Sequence, residues 1–222
     1  MATKKNDEIV EVRPLDMAQV TLHIVGDTPL IVHCWSEKAK RQMLEAQMGL
    51  AKGKKKPVKN PVEDFINSMY WLTEKPTEMT EEAFEEAIAK GARFGFPVVG
   101  LKKAAISAAY RMGWSKDKVS LQGAFFLYGV GQLGDSGLDM LEIVSDPPIM
   151  REDMVKVGLG TADLRYRGEF RNWRTDVILK YNKNGQYSLE NIVNMINAAG
   201  MVCGIGEWRV EKSGQSGMFH IE

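Results

Sequence analysis

Val20-Thr-Leu-His-Ile-Val25 alternates apolar and polar positions, the period of a strand with one buried face. Gly26-Asp-Thr-Pro-Leu30 turns the chain, and Ile31-Val-His33 is a second short extended piece. Behind Ser36, a suitable N-cap, Met43, Leu44 and Met48 give a helix from Glu37 to about Gly49 an apolar face. Asn60-Pro61 opens another helix, with Val62, Phe65, Ile66, Met69, Tyr70 and Leu72 at helical spacing, and a further helix is predicted from Glu81 to Ala89. Phe94-Gly-Phe-Pro97 reads as a break before a helix from Val98 to Met112, where Leu101, Ala104, Ala105, Ala108 and Ala109 form a small-residue face suited to close packing on a sheet.

Val119 to Tyr128 reads as a strand, Gly129 to Gly137 as a loop and Asp139 to Val144 as the next strand, ended by Pro147-Pro148. Ile149 to Val155 reads as a loop edge leading to a glycine stretch, and Asp163 to Arg167 alternates. Thr175 to Tyr181 is a strand by alternation, and Asn182-Lys-Asn-Gly185 supplies turn chemistry. Ser188 caps an amphipathic helix carrying Ile192, Val193, Ile196 and Ala199, which Gly200 is expected to stop. A final strand, Met218 to Ile221, closes the chain. Strands and helices do not alternate regularly, so an α+β fold is predicted: an antiparallel sheet with helices on one face, built on a ferredoxin-like core with insertions. Residues 1–16 read as a flexible polar arm. Residues 17–222 read as one domain, with a basic loop and helical insertion at about 50–95.

Composition narrows this little. The 222 residues hold 29 Lys and Arg against 29 Asp and Glu, so no global field draws the protein to nucleic acid or membrane. The distribution says more. Lys38, Lys40, Arg41, Lys52, Lys54, Lys55, Lys56 and Lys59 make one segment basic, and Glu63 to Glu86 is acidic, so copies of the chain could attract one another. Cys34 and Cys203 match no zinc or redox spacing and read as free thiols in a reducing cytoplasm. No stretch is apolar for a bilayer's width, and the first residues lack a signal-peptide apolar region.

Two segments carry candidate chemistry. Arg165-Tyr166-Arg167, Phe170-Arg171 and Trp173-Arg174 interleave cations with aromatics. Guanidinium groups make bidentate phosphate contacts and aromatic faces stack on unpaired bases, which suits single-stranded nucleic acid. The competing reading is a strand pair with Tyr166, Phe170 and Trp173 in the core, the arginines solvated, and Glu152, Asp153, Asp163 and Glu169 neutralising part of the charge. The C-terminal segment sets Gly200, Gly204, Gly206, Gly214 and Gly217 around Trp208-Arg209 and Lys212. Such a loop can lay N–H groups along phosphates; it can equally be a structural turn that packs Trp208 into the core. Lys54, Lys55 and Lys56 read either as a phosphate clamp or as a solvated loop.

The opening strand with Gly26-Asp-Thr-Pro-Leu30, the helix start Phe96-Pro-Val-Val-Gly-Leu-Lys-Lys-Ala-Ala105 and the terminal glycine-rich loop resemble the RAMP superfamily. These are the RRM-like proteins that form the RNA-coating backbone of CRISPR effector complexes. The resemblance implies RNA-backbone contacts at Lys102, Lys103, Arg209 and Lys212, and the compact size would suit a phage-encoded relative. The stretch from Arg151 to Trp173 matches no motif of that family.

His23, His33 and His220 are isolated and form no metal-binding motif; there is no Rossmann fingerprint, Walker A sequence or nucleophile elbow, so no cofactor and no metal are expected. The reading that results is a non-enzymatic protein that coats single-stranded RNA or DNA as an oligomeric, head-to-tail array. A protein–protein module without nucleic-acid binding is the first alternative. A metal-independent ribonuclease using His33 is the second.

Overall fold

The computed structural model describes residues 14–35, 37–50, 58–129, 131–132, 139–157 and 160–222. Most of the N-terminal arm and Lys54, Lys55 and Lys56 lie outside the described residues. Strand β1 (Met17–Gly26) turns Leu22 and Ile24 inward and His23 outward, as its alternation predicts. β2 (Leu30–Val32) is buried throughout and leads to α1 (Glu37–Gln47). α2 (Pro61–Ser68) starts where Asn60 accepts the N–H groups of Val62 and Glu63, and it stops four residues short of Leu72 because Tyr70–Trp71 forms β3. Thr80 caps α3 (Glu81–Ala89). Phe94–Pro97, read as a break, is strand β4, and it passes directly into α4 (Val98–Arg111).

The predicted strand from Val119 to Tyr128 is corrected by its cap. Asp117 accepts the N–H groups of Val119 and Ser120 and nucleates α5 (Lys118–Ala124), leaving only Phe125–Tyr128 for β5. After β6 (Gly131–Gln132) and β7 (Asp139–Ile143), the supposed loop edge is a long hairpin of β8 (Ile149–Val157) and β9 (Thr161–Phe170). β10 (Arg174–Asn182) follows. α6 (Leu189–Val202) has the Ser188–Asn191 capping box and continues past Gly200. A Cβ at Gly200 would overlap the Phe219 carbonyl oxygen, so this glycine admits a close helix–strand approach to β11 (Phe219–Ile221) and does not end the helix.

The sheet β11-β1-β10-β5 is antiparallel throughout. Its strands with α4 and α6 read β1-α4-β5-β10-α6-β11, the split βαβ of the ferredoxin-like fold, with its fourth and third strands flanking the first. The alanine face of α4 and Ile192, Met195, Ile196 and Ala199 of α6 pack over Leu22, Ile24, Val177 and Leu179. The described residues between β1 and α4 and those between β5 and β10 lie outside this split βαβ core. Together they build the sheets β2-β9-β8 and β3-β4-β7-β6. A ring contact series, Phe65–Phe84–Trp71–Phe94–Phe170, ties these sheets into the same hydrophobic core. Cys203 is buried and Cys34 half-buried, both as free thiols. Among the described residues no helix is long and apolar enough to cross a membrane.

Candidate nucleic-acid interface

β2 pairs with the end of β9 through Leu30↔Phe170, Ile31↔Glu169 and Val32↔Gly168, which delivers His33 to the surface between two cavities. The first, about 490 Å³, lies between the start of α4 and the C-terminal loop; Phe96, Gly100, Lys103, Gly204, Gly206, Glu207 and Arg209 contribute to its wall. The second, about 430 Å³, lies between α1, α2 and β9 and is lined by Trp35, Lys59, Asp64, Arg165 and Tyr166 among others. His33 lines both. Burial first, and then the nearby Arg167 guanidinium, hold its pKa below the ordinary value.

Of the residues singled out by sequence, the structure gathers Lys103 and Arg209 at the first cavity and Arg165 and Tyr166 at the second. Lys103 is exposed and pairs with no carboxylate among the described residues. Arg209 is spent on the loop itself: Nη1 donates to the Gly206 carbonyl at 3.0 Å, and Nε and Nη2 each reach Glu211 at 3.2 Å. Arg165 stands 3.5 Å from Asp163, which Lys59 also contacts at 2.9 Å. The hydrogen bond from Lys59 holds the Asp163 carboxyl below its usual range. Lys59 Nζ lies 5.9 Å from the Tyr166 ring centroid. A hydrogen bond with Glu152 pushes the Tyr166 phenol up.

The others lie elsewhere. Lys102 donates to the Gln122 carbonyl at 2.8 Å and sits 4.9 Å over the Phe126 ring, clamping α5 and β5. Burial lowers its pKa. Lys212 is exposed on the 3-10 turn Val210–Lys212, outside both cavities. Arg174 is on the outer face of the four-stranded sheet. Trp173 and Arg167 are corrected outright. Trp173 is 1% exposed, donates through Nε1 to the Thr28 carbonyl at 2.8 Å and meets Phe219 edge to face, so it offers no face to a base. Arg167, 5% exposed as a side chain, belongs to a ladder of alternating charge. Along it Arg171 meets Glu169 at 2.8 Å, Glu169 meets Arg151 at 2.9 Å, Arg151 meets Asp153 at 2.9 Å and Asp153 meets Arg167 at 3.1 Å. Burial pushes the Glu169 carboxyl up, and the hydrogen bonds from Arg151 and Arg171 outweigh it, leaving the pKa lowered.

The glycine-rich loop fits neither sequence reading in full. A Cβ at Gly217, φ +66°, would overlap the Ile205 carbonyl oxygen, so the turn is structural, yet the residue it buries is Ile205, and Trp208 stays part-exposed. Sequence reasoning missed Trp35, which is 53% exposed, and Glu207. A tryptophan outside any apolar period, between a strand and a helix cap, was the available signal for the first. Among the described residues no group of three or more His, Cys, Asp or Glu side chains is placed to hold a metal ion.

No protein-family model matches the chain, and no curated protein matches it in sequence. Among solved structures it is similar to the crystal structure of Cmr6 from Pyrococcus furiosus, at 11% identity and a TM-score of 0.36, over 94% of this chain and 100% of that one.

Proposed function

We propose that this chain is a RAMP-like, non-enzymatic subunit that holds single-stranded RNA or DNA by its backbone in the cleft on either side of His33. The observation that carries the reading is the meeting of cations with aromatic side chains there: Lys103 without a carboxylate partner among the described residues on one side, and Lys59 and Arg165 beside the exposed Trp35 and the half-buried Tyr166 on the other. Cations track phosphates while aromatic faces take bases, each stack contributing about 1–3 kcal/mol. The split βαβ core supports the family reading, since Pro97–Lys103 begins the helix before the second core strand and the glycine-rich loop precedes the last. Three cations engaging about three phosphates would give a logarithmic salt slope of roughly −2.

The test is fluorescence anisotropy of labelled single strands and duplexes across a salt series, repeated with Lys103→Ala and Arg165→Ala. Weakened, less salt-sensitive binding by the variants is expected; unchanged binding would move the site elsewhere. Arg167→Ala is not a usable probe, because breaking a buried ion pair costs about 3–5 kcal/mol and reports on folding.

Assembly into a head-to-tail array is the second part of the reading. α1 buries none of its large apolar residues, exposing Met43 and Leu44 beside Arg41, while α3 presents Glu81, Glu82 and Glu85 to solvent. Opposite charges on two distinct surfaces make a heterologous contact that need not close into a ring. The alternative of a protein–protein module draws on the same face and on the internal pairing of Arg151, Arg167, Arg171 and Arg209. Oligomer formation that persists without any oligonucleotide binding would favour it.

A further inference from the structure

Another cavity, of about 390 Å³, is lined from the segment after α4, from α5 and from the start of α6, and it shares no described lining residue with the two cavities beside His33. Leu121 and Met195, both buried, give it an apolar floor, and Trp114 and Tyr187 are its aromatic walls. Trp114 is placed by the turn that ends α4. Gly113, at φ +73°, donates to the Tyr110 carbonyl at 3.2 Å, and the Trp114 N–H donates to the Ala109 carbonyl at 3.0 Å, the paired bonds of a Schellman stop. An apolar residue just after such a glycine commonly packs back on its helix. This indole instead stays 48% exposed. Tyr187 is set by its hydroxyl, which lies 3.2 Å from Ser120 Oγ and 3.4 Å from Ser115 Oγ. Both walls are thus fixed by contacts within the chain, as a pre-formed ligand pocket requires.

The remaining polar groups of this cavity are mainly amides. Gln186 and Asn194 make no side-chain hydrogen bond among the described residues. Asn191 Oδ1 accepts the Ser188 N–H at 3.3 Å, which leaves its Nδ2 free to donate. No Asp, Glu, Lys or Arg lines the cavity among the described residues. Such a lining suits an uncharged, flat ligand with apolar faces and a donor beside an acceptor on its edge. We propose that the cavity takes an adenine base. Trp114 stacks on its ring, and the Asn194 carboxamide pairs with its edge, Oδ1 accepting from the exocyclic amine and Nδ2 donating to the neighbouring ring nitrogen. Guanine presents two acceptors on the same edge and calls for an Arg or Lys in that place. The base belongs either to a strand or to a free nucleoside, whose chemistry here is the same. The site does not rest on the single-strand cleft beside His33.

The test is calorimetric titration of the full chain with adenosine, guanosine and ribose, beside anisotropy with labelled oligoadenylate and oligouridylate. Adenine should be preferred over guanine by roughly tenfold, the lower part of the range for one bidentate pair, and ribose should not compete. Trp114→Ala should weaken adenine binding by at least about fivefold, the lower end for one base–aromatic stack. Asn194→Asp keeps the shape and removes the donor, so it should lower affinity for adenine more than for guanine. Both side chains are exposed, and a urea melt confirms that each variant is folded. Adenosine binding as tight as that of oligoadenylate identifies a free nucleoside as the ligand. Oligoadenylate binding that Trp114→Ala weakens, with adenosine too weak to measure, identifies a base within a strand. Guanosine or ribose binding as well as adenosine overturns the adenine assignment, ribose in favour of a saccharide pocket. So does oligoadenylate binding indifferent to both variants when adenosine does not bind, and so does the absence of binding by every probe. A protein that binds adenosine and no single strand keeps this site and loses the cleft reading.

Discussion

Trp173→Phe separates a core tryptophan from a base-stacking one. The indole is enclosed against Gly26, Phe219 and the Thr28 carbonyl, to which it donates at 2.8 Å. Phenylalanine retains most of the apolar contact but leaves that carbonyl without its partner, at about 1–3 kcal/mol. Trp173→Ala adds loss of the ring and a cavity, about 3–5 kcal/mol in all. For a chain of this length each kcal/mol moves the midpoint by about 2–4 °C, so the phenylalanine variant should melt roughly 2–12 °C lower and the alanine variant roughly 6–20 °C lower. Urea unfolding with oligonucleotide anisotropy at 15 °C reads both quantities. A folded Trp173→Phe protein should bind as wild type does. One that kept its stability but bound tenfold more weakly would refute the core assignment.

Arg165→Ala should weaken single-strand binding by about three- to tenfold, the worth of one partly compensated charge; Arg171→Ala, on the ladder's outer end, should leave affinity unchanged, and the reverse ranking in anisotropy would place the interface on the hairpin's far end. His33 faces Arg167, Arg165 and Glu207, and its pKa is lowered in the folded state, chiefly by burial. The unfolded chain therefore takes up the proton first as pH falls, and wild type should lose more stability than His33→Gln between about pH 7.5 and 5.5; equal losses in urea midpoint would contradict the burial of that imidazole. Gly217→Ala introduces a methyl against the Ile205 carbonyl at a left-handed φ of +66°, and should cost more than the roughly 1 kcal/mol of backbone strain alone; a neutral melting temperature would show that the loop readily rearranges.

The core elements were legible where periodicity was long and tertiary demands agreed with it. The alanine face of Val98–Arg111 and the alternation of Thr175 to Tyr181 read directly, and with the final strand they implied the split βαβ sheet. Lys118–Ala124 did not, because seven residues are too few for a helical period to outweigh Val119 and Phe125, and Asp117 decides the outcome locally. The hairpin of β8 and β9 hid its character for a different reason. Its arginines and carboxylates look solvated in sequence, yet pairing at Arg151↔Arg167 and Asp153↔Arg165 lines them into a ladder that lets Asp153, Arg167 and Glu169 be buried. Such compensation is set by strand register, which no local pattern contains. For the same reason Arg165 and Tyr166 could be picked out as candidates from their local pattern while Glu207, forty residues further on, could not be linked to Arg167.

The most direct measurement is anisotropy of the purified protein with labelled single-stranded RNA, single-stranded DNA and duplex DNA of several lengths, over a salt series. The account predicts binding to a single strand with a logarithmic salt slope near −2 for one protein per site, weaker binding to duplex, and stoichiometry that rises with strand length. Absence of single-strand binding at low salt, or equal affinity for duplex, would contradict it.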